Sequence, residues 1–578
     1  MDMKKILSAA ALLVCAVTFG QNINPTVEVT NIYQGNPSEV NKPQLGMAIP
    51  DSLMRFDMDF GYEVFEKPYQ GAYNFKPYML AMRPDKDAYR GKKLYLKTGA
   101  GYSLHPQLDF VFSPEQSGPF QMSVYANHRS YFGKYNSLTT VPYEQFYGVE
   151  KVPGQSFNGH DMLTSVGLDG RYSLDKAIVS FGIGYYGQAA RDTIFKNSFD
   201  AADFNARIRS NRDDDRYIFY DVALDGRFGR DRHKYFSGSS NMLSEGLFRL
   251  HGEAGPVLSR SQAAILGFEA ETCSYRNYFD DNAGRLALIP KYRFSYGDWD
   301  FDLGVRIEKL FGGTEGAESS LPLHSFKGSW LFPAVNVSYS LMDNLQLYAS
   351  ATGGNKVNTF SSIMSRNHFI QLDQYYSMLD NSTEKINVKV GAKGRYGSML
   401  QFEVDGGAAV IENGLLDYGF AYTSWGPEYI PTVVYSDYSL IYADALMDLH
   451  VGDVRFEGGL HFRHSALKFD TDGGLMLPAF TCDFKTVYDF NPRLYAGARI
   501  ITSTSRKGKC NAPYGVSTPY FDIRIPGYFD LGLFGGYKLN RKLGVWLESG
   551  NLLCESIQRN LFYSEKDLWI TAGITLNL

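Results

Sequence analysis

The C-terminal stretch Asp567–Leu578 alternates almost without fault, and then the chain stops. Leu568, Ile570, Ala572, Ile574, Leu576 and Leu578 fall on one face, and Trp569, Thr571, Gly573, Thr575 and Asn577 on the other. A period of two, apolar on one side and polar on the other, marks a β-strand between two different surroundings. An unpaired apolar edge invites aggregation, so a soluble domain rarely ends on one. A barrel removes the edge by pairing its last strand with its first. The ending therefore points to a closed transmembrane barrel, with Leu568–Leu578 facing lipid and Thr571, Thr575 and Asn577 facing the lumen.

Composition agrees with that reading. The chain holds 57 Gly, 41 Tyr and 40 Phe, and charged residues make up only 21%. Tyr and Phe suit strands and membrane interfaces, whereas Gly suits turns and close packing. A mean hydropathy of −0.26 excludes a bundle of membrane helices. A barrel needs no long apolar run, because only alternate residues face hydrocarbon. The net charge of −5 argues against nucleic acid as a partner.

The one helix-like apolar stretch stands at the start, where Lys4 and Lys5 precede Ile6–Phe19. It reads as a signal peptide over residues 1–20, too short to anchor, with cleavage expected between Gly20 and Gln21. Leu12, Leu13 and Val14 before Cys15 lack the small residue of a lipid-attachment site. Cys273, Cys482, Cys510 and Cys554 are far apart and show no metal-site spacing. They imply no metal and no cofactor, and leave room for at most a loop disulfide such as Cys510–Cys554.

Residues 21–92 differ in character. Pro25, Pro37, Pro43, Pro50, Pro68, Pro77 and Pro84 punctuate them, so an irregular periplasmic or lumen-threading segment is expected, too short to build its own core. Residues 93–578 then alternate as a series of strands. Tight polar turns fall near Leu174–Lys176, Ser259–Ser261, Gly297–Asp298, Met342–Asn344, Tyr396–Ser398, Gly452–Asp453, Asn491–Arg493 and Leu539–Arg541. Longer polar connections are expected at Tyr131–Gly159, Phe311–Lys327, Gly354–Ser382 and Ser505–Ser517. Tight turns and both termini belong on the periplasmic side, long loops outside. The spacing predicts an all-β, antiparallel transmembrane barrel of about 22 strands, with 20–24 as the range, including a strand near Asp203–Ser210.

The hairpin Thr383–Val410 shows the chemistry of the two faces. Ile386, Val388, Val390 and Ala392 oppose Asn387, Lys389, Gly391 and Lys393, and Leu400, Phe402 and Val404 oppose Gln401, Glu403 and Asp405. Centring the turn on Tyr396–Ser398 sets Lys389 near Asp405 and Lys393 near Gln401, with Glu403 between. Such charge tolerates only water or protein, so this face is the lumen. The same reading places Asp302, Gly304, Arg306 and Glu308 inside. The candidate lumen charges are Lys385, Lys389, Lys393, Arg395, Glu403 and Asp405. They either bind solute or form a cross-strand ion-pair ladder, and interleaved signs favour the ladder.

Other motifs carry less. Gly182, Gly184 and Gly187 spell a dinucleotide fingerprint, but Ile178–Tyr186 alternates through it as a strand, where no helix N-terminus can receive phosphate. His461 and His464, three apart on a strand, point to opposite faces and cannot share a metal. His128 and Ser130 stand near the expected rim, where outer-membrane enzymes place their groups, but no local signature supplies a base or an orienter. Phe360, Ile363, Met364, Phe369, Ile370, Tyr375, Tyr376 and Met378 make Asn355–Asn381 apolar for a connection. Such a loop folds into the lumen, caps the mouth or meets a partner.

Val27–Gln44, Tyr62–Tyr78, the hairpin Lys93–Phe112 and Leu379–Gly394 resemble segments of Bacteroidetes outer-membrane proteins classed as TonB-dependent receptors or receptor-like barrels. The resemblance implies an outer-membrane barrel taking part in solute transport, set among outer-membrane lipids, with periplasmic or outer-membrane protein partners and a small solute. The chain departs from that pattern in lacking a plug-sized domain, and Val27–Thr30 is only a faint TonB-box candidate. A plug-less structural or accessory subunit of a larger outer-membrane complex is the competing expectation. No enzyme is expected.

Overall fold

The computed structural model describes residues 93–578 apart from 103, 115–118, 144–145, 192–195, 211–217, 233–241, 260, 278–280, 313–327, 371–378, 398, 422–428, 468–476, 512–519 and 560–561. The expected signal peptide, its Gly20–Gln21 junction, the proline-rich segment and Val27–Thr30 lie outside these residues, as do Tyr375, Tyr376 and Met378.

The first half of the sheet comprises β1 Leu94–Gly101, β2 Gln107–Phe112, β3 Phe120–Pro142, β4 Tyr147–Ser173, β5 Ala177–Arg191, β6 Lys196–Ser210, β7 Ile218–Asp231, β8 Ser244–Ser259, β9 Gln262–Arg276, β10 Asp281–Tyr296, β11 Trp299–Gly312 and β12 Leu331–Met342. The second comprises β13 Leu345–Val357, β14 Asn381–Tyr396, β15 Leu400–Ala421, β16 Tyr429–Val451, β17 Val454–Leu467, β18 Phe480–Asn491, β19 Leu494–Ser503, β20 Arg506–Asn511, β21 Tyr520–Ile525, β22 Tyr528–Lys538, β23 Leu543–Gly550 and β24 Trp569–Asn577. Among the described residues a short helix, α1 Phe360–Met364, interrupts the connection from β13 to β14. Of the 24 strands, β20 and β21 stand apart as a hairpin while β19 pairs directly with β22. The remaining 22 form the wall, each antiparallel to its neighbours.

The ring closes where the sequence ends. β24 pairs with β1 in the register Leu96↔Leu576, Thr98↔Ile574 and Ala100↔Ala572, and Leu94 and Leu578 exchange backbone bonds of 3.1 and 2.9 Å. On the inner face Gly99 lies opposite Gly573 beneath the Trp546 indole. A Cβ on Gly99 would come within 2.5 Å of that ring, and one on Gly573 within 2.0 Å of the Thr98 carbonyl. Two glycines are thus what lets the seam lie flat under a tryptophan.

The faces separate as the alternation demands. Ile183, Phe228, Leu288, Val390, Leu533 and Ile574 project outward, Val390 being 58% exposed and Ile183 62%. An outward apolar belt on a ring without edges fits hydrocarbon, where every backbone group must find its partner in the wall. Among the described residues no helix is long and apolar enough to cross a membrane.

The tight turns fall where the spacing put them, and Asp203–Ser210 lies within β6. Three expectations need correction. Tyr131–Gly159 is no loop: β3 runs to Pro142 and β4 restarts at Tyr147, so a long hairpin of Tyr-, Asn- and Thr-rich strand rises past the wall. Ser505–Ser517 begins with β20. The third concerns register, for Lys393 faces Glu403 and Arg395 faces Gln401. The turn spans three residues from Tyr396 to Leu400, with Gly397 at φ +56°, a conformation that favours glycine. The pairing therefore slides by two residues while each side chain keeps its face.

Charge placed on the outward belt should be costly. Val390→Arg is expected to destabilise the lipid-embedded barrel by about 2–4 kcal/mol, measured by urea unfolding in vesicles. Lys389→Gln, on the opposite face of the same strand, should cost much less.

Candidate functional site

The inner face of the wall is charged and mutually paired. On β14 and β15 the groups gather around Tyr348 of β13. Its hydroxyl donates to Glu403 Oε1 at 2.8 Å and lies 3.1 Å from Asp405 Oδ2. Lys389 Nζ stands 3.3 Å from Asp405 Oδ2, and the Lys389 and Lys393 ammonium groups lie 5.3 and 5.8 Å from the Tyr348 ring. Arg395 bonds the Gln401 amide oxygen at 2.6 Å once that amide is turned to match its neighbours. Five of the six candidate charges therefore share one patch. Lys385 does not join it. A bulge between Glu384 and Ile386 takes Lys385 out of the alternation, and it pairs with Glu412, the two being 44% and 38% exposed.

A denser cluster lies across β9, β10 and β11. Arg285 holds Glu269 and Glu271 at 2.8 Å and Glu308 at 3.1 Å. Arg306 holds Glu269 at 2.7 Å and also pairs with Glu308. The backbone and side-chain N–H groups of Asn355 donate to Glu308 Oε2 at 2.7 Å. Burial this complete demands that each charge be matched, and the cluster does so by interleaving signs across strands. Sequence reasoning placed Arg306 and Glu308 inside but missed Arg285 and Glu269 as their partners. The signal was present in the alternation of Glu269 and Glu271, then Arg285, along neighbouring strands. Further round, His461 bonds Asp444 at 2.6 Å and Arg463 bonds the same carboxylate at 2.7 Å. His464 takes no part in that pairing, and no group of metal ligands occurs among the described residues. Near the tight turns the lumen widens into a cavity of about 810 Å³ bordered by Lys393, Arg395, Glu403, Asp448 and Glu457.

The opposite end is spanned by the protein's own connections. β20 touches β15 at Cys510 and Gly419, and β21 touches β4 at Ile523–Tyr147 and Arg524–Gly148, both in parallel. With 22 strands in the wall, β4 and β15 stand on opposite sides. The hairpin thus bridges the mouth, with its Cys510, Ile523 and Ile525 buried together with Val149 of β4. Cys510 and Cys554 are free thiols, so the loop disulfide does not form.

The β13–β14 connection folds inward below that bridge. Thr359 caps α1 by accepting from the Ser362 N–H at 3.3 Å. One turn of helix cannot hold itself; packing does, because Phe360, Ile363, Met364, Ile370 and Leu379 are buried against Phe199, Tyr275, Leu415 and Val433 of β6, β9, β15 and β16. Each such side chain contributes about 1.5–3 kcal/mol of burial. Polar contacts fix the crossing: Gln188 donates to the Met364 carbonyl at 3.0 Å, Asn197 to those of His368 and Ile370 at 2.9 and 2.8 Å, and Arg366 to Asp417 at 3.1 Å. Phe369 then stacks on Tyr563 of the β23–β24 connection at 3.9 Å. That connection is tied down by Arg559–Asp530 at 2.6 Å and by the Asn136 N–H donating to Ser564 at 3.0 Å. Lys566 lies 2.8 Å from His105 Nε2 and over the Trp569 ring, and burial holds its ammonium below the ordinary lysine range. Of the three fates open to the apolar loop, the structure realises the inward one.

Residues 106–367 match a family model described as TonB dependent receptor-like, β-barrel. No curated protein matches the chain. Among solved structures, a variant of the ferric enterobactin receptor PfeA of Pseudomonas aeruginosa is 11% identical, with a TM-score of 0.57 over 84% of this chain and 80% of that one. The siderophore receptor PirA of Acinetobacter baumannii is 11% identical, with a TM-score of 0.58 and the same two coverages. The FrpB iron transporter of Neisseria meningitidis is 10% identical, with a TM-score of 0.58 over 84% of this chain and 81% of that one. The chain thus shares the β-barrel fold of these receptors, and residues 106–367 are similar to the TonB-dependent receptor-like barrel family.

His368 Nδ1 and Asp161 Oδ1, 2.5 Å apart, latch the β13–β14 connection to β4. Burial opposes a charge on His368, but Asp161 outweighs it and raises the imidazole above its ordinary value. The latch is complete below about pH 6.5 and weakens as pH rises through the raised value. Tryptic cleavage after Arg366, normalised to a free peptide, should therefore increase with pH, and Asp161→Asn should remove that dependence by cutting readily throughout.

Proposed function

We propose that this TonB-dependent receptor-like outer-membrane barrel takes part in solute passage across the outer membrane, through a lumen that its own connections close on the outside. The observation that carries this reading is the bridge from β4 through β21 and β20 to β15, with the β13–β14 connection folded beneath it. Passage then requires the cap to open, and the paired charges of the inner wall suit a small polar solute crossing an aqueous path. Residues 1–20 direct export and are removed near Gly20–Gln21. Residues 21–92 serve as a proline-rich periplasmic or lumen segment, and residues 93–578 form the barrel among outer-membrane lipids.

A second reading has its own support. Arg285, Arg306, Glu269 and Glu308 satisfy one another and leave no open charge for a ligand there, as suits an accessory barrel within a larger outer-membrane or periplasmic assembly.

Planar-bilayer recording separates the two. Under the transport reading, the full mature chain conducts little, and replacing residues 359–379 by a short Gly/Ser linker opens large, steady channels. A barrel that stays silent after that replacement, while the native protein is recovered in a stoichiometric complex, would support the accessory role instead.

A further inference from the structure

One polar cluster on the outer wall belongs to neither the lumen nor the cap. His128 and Ser130 of β3 lie on the same face of the strand, and Thr164 of β4 is the cross-strand partner of His128. His128 Nε2 is 2.9 Å from Ser130 Oγ, and His128 Nδ1 is 2.8 Å from Thr164 Oγ1. The face is the outward one, shared with Phe132 and Val166, which are 38% and 40% exposed. Arg129, between His128 and Ser130, points the other way and is locked by Asp109 at 2.7 and 2.9 Å, which holds this part of β3 in register.

We propose that Ser130, His128 and Thr164 form an acyl-ester hydrolase site on the outer wall, for a lipid ester presented at the membrane rim. With its proton on Nδ1 donated to Thr164, the neutral imidazole directs its Nε2 lone pair at the Ser130 hydroxyl, which is the arrangement a serine nucleophile needs. Ser130 Oγ bonds to the ester carbonyl carbon as its proton passes to His128 Nε2. The tetrahedral intermediate then breaks its bond to the alcohol, which leaves with that proton. Water, losing a proton to Nε2, attacks the acyl carbon; the bond to Ser130 Oγ breaks, the serine regains a proton and the fatty acid departs.

The neighbouring β1–β2 connection supplies the remaining parts. Ser130 is only 3% exposed, because Leu104–Pro106 runs beside it: the Ser130 N–H donates to the Pro106 carbonyl at 3.2 Å and the Phe132 N–H to that of Leu104 at 3.1 Å. Lifting this strip uncovers the hydroxyl and also frees the Ser130 N–H on the edge of β3, next to the attacked carbonyl, to receive the oxyanion. Leu104 sits at φ +35°, a conformation that L-residues with a Cβ rarely adopt. Its side chain and that of Tyr102 are 60% and 75% exposed, so a lipid surface has apolar groups to draw upon.

The test uses the folded full-length barrel in vesicles, with a fluorophosphonate probe and a medium-chain p-nitrophenyl ester. Labelling should map to Ser130 by peptide mass spectrometry and vanish in Ser130→Ala. His128→Ala should slow labelling and ester turnover by about 10²–10⁴-fold. Thr164 is a positioning residue: Thr164→Val should shift the pH profile of labelling, and Thr164→Ser should restore it. Heat-modifiable migration on gels confirms that each variant is folded. An unlabelled Ser130 in the folded wild type, or ester turnover unchanged in folded Ser130→Ala, overturns the proposal.

Discussion

Pairing of β24 with β1 is the interaction on which the rest depends. Inside hydrocarbon an unpaired backbone group has no water to turn to, so a sheet can stand there only as a ring. Register sets which residues face which way, and a one-residue slip would turn every side chain of the strand over. The seam is pinned at Leu94–Leu578 by reciprocal bonds and on its inner face by Gly99 and Gly573 under Trp546. Once it closes, the period of two sorts the wall into an apolar outside and a charged inside without further instruction.

That sorting creates the problem the inner wall solves. Arg285 and Arg306 sit at 4% and 6% exposure, where an unmatched guanidinium would be costly. Cross-strand carboxylates match them, and the same device recurs around Tyr348 and around Asp444. The end away from the tight turns is closed by a different principle. There apolar side chains from the β13–β14 connection pack against β6, β9, β15 and β16 as a small core. Solvent exclusion there comes from burial, and lateral position from hydrogen bonds to Gln188, Asn197 and Asp417.

The wall was legible because alternation is a local signal repeated many times. Strand spacing, tight turns and the two faces of Thr383–Val410 all follow from it. What escaped the sequence was whatever depends on long-range pairing. A turn displaced by one residue along the chain moved Lys393 from Gln401 to Glu403. Arg285 and Glu269 became partners only once β9 and β10 were side by side. The Tyr131–Gly159 stretch looked like a loop because, beyond the membrane, neither face need be apolar, so its strands carry no alternation to read. For the β13–β14 connection, apolar content signalled that Phe360, Ile363 and Ile370 would be covered, but only the opposing wall determines by what.

The central claim is that this barrel closes the mouth opposite its tight turns with its own inward-folded connections. Hydrogen–deuterium exchange on the folded barrel in lipid tests it most directly. The Phe360 and Ser361 N–H groups, donating to Tyr275 and Glu245, and those of Ile363, Ser365 and Ile370, bonded within the turn, are expected to exchange as slowly as the upper strands they pack against. Exchange of these amides at the rate of a free peptide, with the wall protected, would contradict the account.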